Sequence, residues 1–243
     1  MREYLLDIVK HTRGVGDIEA VKVVNDGNTT TIEAKDDNNK VVVRATYKKA
    51  IPGLQGTFGV PNLSKLNVIL NIPEYKENAK ITVNTRDRNG ETEPFSLRFE
   101  NAAGDFKNDF RFMQKELMEE KLASVKFKGA NWNVDIEPNG ASTQRFKFQS
   151  QANSDEVLFV AKTEDGNLKF YFGDDSGHTG NFTFQSSVGG ELKQSWKYPV
   201  AEVLSILNLT GDIRMKFSDA GAAMITVDNG LAVYEYILPA QSK

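Results

Sequence analysis

The chain has no cysteine and only two histidines in 243 residues. Disulfides, thiolate chemistry and cysteine-based zinc sites are thereby excluded, and little is left for histidine-based metal or acid–base work. The absence of cysteine is compatible with a reducing cytoplasm. No apolar run approaches the roughly 18 to 20 residues needed to cross a bilayer, and Asp7 interrupts the one N-terminal apolar stretch. A soluble, cytoplasmic chain with no membrane partner is expected. There is no surplus of positive charge either: the formal net charge is −3. That argues against attachment to nucleic acid by global attraction, which relies on many Lys and Arg contacts to phosphate, but leaves room for a segregated basic face.

Motifs that carry catalysis are missing as well. No phosphate-cradling glycine loop, dinucleotide fingerprint, nucleophile elbow or zinc motif occurs. The nearest thing to a polar cluster is Asp174, Asp175 and His178, in a segment that reads as a hairpin turn. No catalytic residue, metal ligand or cofactor is assigned, and the chain is not read as an enzyme.

What is present is a duplication. Residues 198–210 (YPVAEVLSILNLT) resemble residues 61–73 (PNLSKLNVILNIP). Apolar residues fall at helical spacing in both, Leu63, Leu66, Ile69 and Leu70 against Val200, Val203, Ile206 and Leu207. Each stretch reads as a helix of about three turns, with Asn62 as N-cap of the first, Pro199 at the first helical position of the second, Pro73 barring continuation and Gly211 as a left-handed stop. Asp26-Gly27-Asn28 recurs as Asp165-Gly166-Asn167 at an offset of 139, Asp36-Asp37 as Asp174-Asp175 at 138, and Leu63 as Val200 at 137. Landmarks that keep order and spacing point to a repeated unit.

Taken in order, residues 2–13 read as a helix ending at Gly14. Strands follow over 18–25, 29–35 and 40–48, joined by Asp/Asn/Gly turns. A short strand leads into the helix at Leu63, and strands over 80–86, 95–100 and 106–113 close the first domain, residues 1–113. Residues 114–122 (QKELMEEKL), the most charged short run, form the connector. Its Leu117, Met118 and Leu122 either tuck onto the second domain or form an exposed docking strip. The second domain, residues 123–243, starts with one or two strands in 124–137, where Val125, Phe127, Trp132, Val134 and Ile136 alternate. The offset then demands a helix near 142–152, although RFKFQ alternates like a strand, and we follow the repeat. Strands over 156–163, 167–173, 179–187 and 191–197, the second short helix, and strands over 212–218, 222–227 and 231–238 complete the copy.

The duplicated helices and strands, the paired Leu-Asn helix ends at Asn71 and Asn208, and the ending Tyr234 to Ala240 (YEYILPA) resemble the DNA polymerase sliding clamps. The likeness is to the processivity factors of tailed myovirus phages and to proliferating-cell nuclear antigen. The resemblance implies an α+β DNA-clamp fold with two duplicated domains, each with two helices packed on antiparallel sheets, closing into a ring as a homotrimer. It implies a non-enzymatic protein that encircles double-stranded DNA without reading sequence and tethers the replicative DNA polymerase after an ATP-dependent clamp loader opens it. For a phage protein the location would be the host cytoplasm. A topological link needs only a weakly basic bore, for which Arg2, Lys10, Arg13, Lys65, Arg145 and Lys147 are the candidates. Subunits would join by pairing residues 106–113 of one copy with 179–187 of the next, bringing Phe106, Phe110, Phe112, Phe182 and Phe184 to the interface. Partner peptides would dock in an apolar groove of Leu117, Met118, Leu122, Ile237, Leu238, Pro239 and Ala240. The competing reading is a non-enzymatic, β-rich phage structural or binding protein. A regular pair of short helices in each half is what such a β-sandwich has no need of.

Overall fold

The computed structural model describes residues 1–88, 90–123, 127–174 and 177–241. Val125 and Asp175, named above, lie outside them. The chain divides into two compact units. The first comprises Met1–Asp37, Val43–Val125 and Gly230–Val233; the second comprises Asn38–Val42, Lys126–Asn229 and Tyr234–Lys243.

The first unit begins with helix α1 (Arg2–His11), which buries Leu5, Ile8 and Val9. Strands β1 (Ala20–Asn25), β2 (Thr30–Lys35), β3 (Val42–Tyr47) and β4 (Gly56–Pro61) lie side by side in the order β4-β1-β2-β3. Alternation puts Val21, Val23, Ile32, Ala34, Val43 and Ala45 into the core. Helix α2 (Leu63–Leu70) opens at Asn62, whose side chain accepts from the Lys65 N–H at 3.0 Å. A second sheet of β5 (Lys80–Arg88), β6 (Glu91–Glu100) and β7 (Lys107–Arg111) follows in that order. The first two strands extend beyond the expected 80–86 and 95–100. Pro94 is tolerated inside β6 because the β5–β6 register shifts opposite it, between Asn84 and Thr85.

Residues 115–121 of the connector form a short helix, α3 (Lys115–Lys121). Met118 and Leu122 turn inward, and Met118 lies over Gly59 of β4, where a Cβ would sit 3.2 Å from Met118 Cγ. The connector thus anchors on the first unit, not the second. The lack of a side chain at Gly59 is what lets it approach.

The second unit repeats the plan. Strand β8 (Val134–Ile136) is the one strand among the described residues of 127–137, and just before it the Asn133 side chain holds the 219 loop (Asp219 N–H to Asn133 Oδ1, 2.9 Å). Helix α4 (Gly140–Ala152) confirms the repeat against the local alternation. β9 (Leu158–Glu164), β10 (Asn167–Phe172), β11 (Gly180–Gln185) and β12 (Trp196–Pro199) form a sheet in the order β11-β10-β9-β12. β12 starts later than expected. The backbone N–H groups of Lys193 and Gln194, which a ladder would have used, donate instead to the Asp219 carboxylate at 2.8 and 3.0 Å. Phe146 of α4 sits at the centre of Phe159, Phe170, Phe172, Phe182 and Phe184, with ring centroids 4.9 to 6.4 Å away. Helix α5 (Val200–Leu207) leads to β13 (Asp212–Ser218), β14 (Ala222–Asp228) and β15 (Ala232–Pro239), ordered β15-β14-β13-β8.

Both α2 and α5 are eight residues long, little more than two turns, not three. Pro199 is the residue before α5 with extended backbone, not its first helical residue, and Gly211 turns the chain beyond the Asn208 cap rather than forming it. The duplication extends to the closing hydrogen bonds. Met113 N–H donates to Gly59 O on β4 at 2.8 Å, and Gln241 N–H donates to Lys197 O on β12 at 2.9 Å.

Candidate nucleic-acid interface and subunit edges

The helices pack in pairs, α1 with α2 and α4 with α5. The first pair runs antiparallel and is tied at both ends. At one end Arg2 donates from Nε and Nη2 to the Leu70 carbonyl, at 3.1 and 2.8 Å, taking up an orphan acceptor of the α2 C-terminus. At the other, Arg13 Nε donates to Ser64 Oγ at 2.7 Å and lies 3.4 Å from Glu19. Ser64 also donates to Glu19 through its N–H at 3.1 Å and through its hydroxyl. Partial burial opposes ionisation of Glu19, but the Ser64 hydrogen bonds and Arg13 outweigh it and hold the carboxyl below its ordinary range. Arg2 and Arg13 thus serve the helix pair itself.

Lys10, Lys65, Arg145 and Lys147 differ. All four are exposed, and none has an ion-pair partner among the described residues. Arg145 lies over the Phe182 ring at 5.5 Å, which steadies a charge on the surface of α4. The helix around it is rich in amides, with Gln144, Gln149 and Gln151, and carries no carboxylate. On α5 the one charge, Glu202, is taken by Lys40 at 3.5 Å.

In the second pair the end that Arg2 fills in the first is open. Gly140 and Ala141 begin α4 where Arg2 and Glu3 begin α1, and neither reaches the α5 C-terminus. A cavity of about 850 Å³ remains, lined by Asn139, Thr143, Gln144, Asn208 and Arg214 among others. Arg214 is itself held by Asp135 through two hydrogen bonds, at 2.6 and 2.9 Å, which raise its pKa.

The sheet edges are unequal. At the end of β3, Lys48 N–H donates to Leu231 O at 2.9 Å, so the 230–233 segment covers that edge within the first unit. Its counterpart β11 is the last strand of its sheet, as β7 is of its own. The side chains expected at a subunit interface are mostly buried within the chain itself. Phe110, Phe112, Phe182 and Phe184 are buried in the cores of their own units, since in a sheet with one covered face every second residue points inward. Phe106 alone is exposed, at 41%, although Tyr75 flanks its ring at 5.5 Å.

The residues expected to form a partner groove also separate. Met118, Leu122, Ile237 and Leu238 are buried, whereas Leu117 is 40% exposed and Pro239 and Ala240 are half-buried. Met118 and Leu122 are core anchors in the first unit, and Ile237 and Leu238 belong to the second. Asp174 and His178 are exposed, and the described residues contain no cluster of side chains suited to a metal ion. Sequence reasoning missed the buried Ser142, whose hydroxyl donates to the Phe184 carbonyl at 2.6 Å and ties α4 to β11. It lies one turn before the buried Phe146, on the same face of α4, but its polarity hid it.

No family model and no curated protein sequence matches the chain. Among solved structures, the chain is similar to the C-terminal region of FEN-1 bound to A. fulgidus PCNA, at 12% identity and a TM-score of 0.67, covering 100% of this chain and 96% of that one. At that identity the likeness shows the fold: the chain has the α+β clamp fold, a duplicated arrangement of paired helices on antiparallel sheets.

Proposed function

We propose that the chain is a sliding clamp: three copies close into a ring around double-stranded DNA and tether a replicative DNA polymerase, without catalysing any reaction. The observation that carries this reading is the helix layer. In a fold shared with PCNA, the unpaired cations Lys10, Lys65, Arg145 and Lys147 sit on or beside the duplicated helices. Non-bonded cations on helical faces suit loose contact with phosphates, which positions DNA without reading bases. A net charge of −3 then fits a protein held by topology and not by affinity.

The subunit joint in this reading is a β7 edge against a β11 edge, main chain to main chain, with the buried phenylalanines stiffening the strands from behind. Such a contact is heterologous, so it propagates until the rotation closes. The polymerase and an ATP-dependent loader are the partners implied, and a phage source would place all of them in host cytoplasm. Of the residues expected in their docking groove, Leu117 on the first unit and Pro239 and Ala240 on the second remain accessible.

Two measurements test the proposal. Light scattering should give about 81 kDa, three times the 27.1 kDa chain. Protein loaded on a nicked circular plasmid should survive high-salt gel filtration on the circle and be lost once the plasmid is linearised. Retention that is the same on circle and line would refute encirclement.

A further inference from the structure

Helix α4 carries the most exposed aromatic ring among the described residues, Phe148, at 58%. It makes no ring contact there, whereas Phe146, two residues earlier, is fully buried in the phenylalanine cluster. At 3.6 residues per turn Phe148 stands about 200° round the helix from Phe146, so its ring is the outermost point of α4. Gln144 and Gln151, both exposed, lie about one turn to either side along the same ridge. Lys147 is about 100° to one side of that ridge and Arg145 about 60° to the other, and the helix has no carboxylate. An offset of 138 residues matches Phe148 to the exposed Lys10 of α1. Where the first copy presents a charge, the second presents a ring between two charges.

A face flanked by cations and free of carboxylates suits a polyanion, but a phenylalanine is no ligand for phosphate. Its chemistry fits what lies between phosphates. The flanks of a helix are about 10–12 Å apart, close to the roughly 12 Å width of a DNA major groove. With Lys147 on the phosphates of one strand and Arg145 on those of the other, the ridge between them faces base edges. There the ring finds apolar surface such as thymine methyl groups, and the two amides find donors and acceptors. Amides that both donate and accept, beside a ring that does neither, tolerate any sequence. Resting on the clamp reading, we infer that Phe148 is a groove contact to the encircled duplex, an apolar point between two phosphate contacts that holds DNA by a component salt does not screen.

The test is anisotropy of a short labelled duplex titrated between about 50 and 200 mM salt. Glutamine, leucine and lysine are all good helix formers at an exposed position, so the variants keep the fold. Phe148→Gln should bind about fivefold or more weakly at every salt concentration with the wild-type slope, because an apolar contact releases no counterion. Phe148→Leu should recover most of the loss, and Phe148→Lys should steepen the slope, because that position then meets phosphate. Wild-type affinity in Phe148→Gln would overturn the inference, as would a Phe148→Leu as weak as Phe148→Gln or an unchanged slope in Phe148→Lys. So would a loss confined to a single-stranded probe of the same length, which would make the ring a stacking platform for unpaired bases, or a changed mass in light scattering, which would make this face a contact between chains. Failure of the wild type itself to bind the duplex would overturn the clamp reading as well, whereas steep salt-dependent binding that is identical in all the variants would overturn this inference alone.

Discussion

Replacing Arg145 and Lys147 by glutamine separates a DNA-facing helix from a merely solvated one. Six cations were candidates on sequence grounds. The structure engages Arg2 with the Leu70 carbonyl and Arg13 with Ser64 and Glu19, leaving Lys10, Lys65, Arg145 and Lys147. If each of these four met one phosphate in a ring of three chains, about twelve contacts would form, and the slope of log K against log salt would reach about −11, at roughly 0.9 per contact. Removing two per chain should halve it, to about −5. Glutamine preserves the stem and matches the amide-rich surface of α4. The lost contact of Arg145 over Phe182, at 5.5 Å, costs the fold about 0.5 kcal/mol at an exposed site, so the protein stays folded. The assay is anisotropy of a short labelled duplex, titrated between about 50 and 200 mM salt, with light scattering to confirm an unchanged oligomer. The control replaces Lys76 and Lys80, exposed and off the paired helices, by glutamine. Equal slopes for the wild type and the α4 variant would refute the reasoning, as would an equal loss from the control.

Two further outcomes follow from packing. Gly59→Val drives a side chain into Met113 Cβ, 2.9 Å from the Cβ position, and against Met118. It should lift α3 from β4 and cost about 1–3 kcal/mol in urea denaturation; an unchanged midpoint would show that the connector is not anchored there. Phe146→Ala empties the centre of the phenylalanine cluster and should cost about 3–5 kcal/mol, read as a shifted urea midpoint at unchanged slope.

The fold was legible wherever one period repeated at one offset. Residues 145–149 show why the offset outranked local pattern. Phe146 is fully buried and Phe148 is 58% exposed, opposite faces of a helix, yet two phenylalanines two apart look like one face of a strand. The burial of the interface phenylalanines could have been read from the same alternation that located the strands, since a residue facing the core cannot also face a neighbour. The fate of the cations was a different matter. Arg2 and Leu70 are 68 residues apart, and Arg13 and Ser64 are 51 apart. Nothing in local composition tells such an arginine from Lys10. The placement of α3 was hidden for the same reason: Met118 has a seat only because a glycine stands at position 59.

The edges explain why the proposed ring and its grip on DNA should answer differently to salt. An open edge is normally guarded. β5 carries a register shift and Arg86 beyond it, and β8 is three residues long. β11, GNFTFQ, shares a register shift with β10 but has neither a charge nor brevity to protect it, while its first-unit counterpart β3 meets the 230–233 segment at Lys48. A strand left open, uncharged and backed by Phe182 and Phe184 is built to be paired. The side chains that alternate with its buried phenylalanines are Asn181, Thr183 and Gln185, and the outward ones of β7 are Lys107, Asp109 and Arg111. Of these charges, Lys107 is already neutralised by Glu100 and Asp109 by Arg98 within their own sheet, and Arg111, without a carboxylate partner among the described residues, finds no opposite charge on β11. A joint made of main-chain hydrogen bonds and such side chains gains little from long-range attraction, and screening removes little from it. DNA held by unpaired lysines and arginines loses affinity steeply over the same range, so salt should strip the DNA contact while leaving the ring intact.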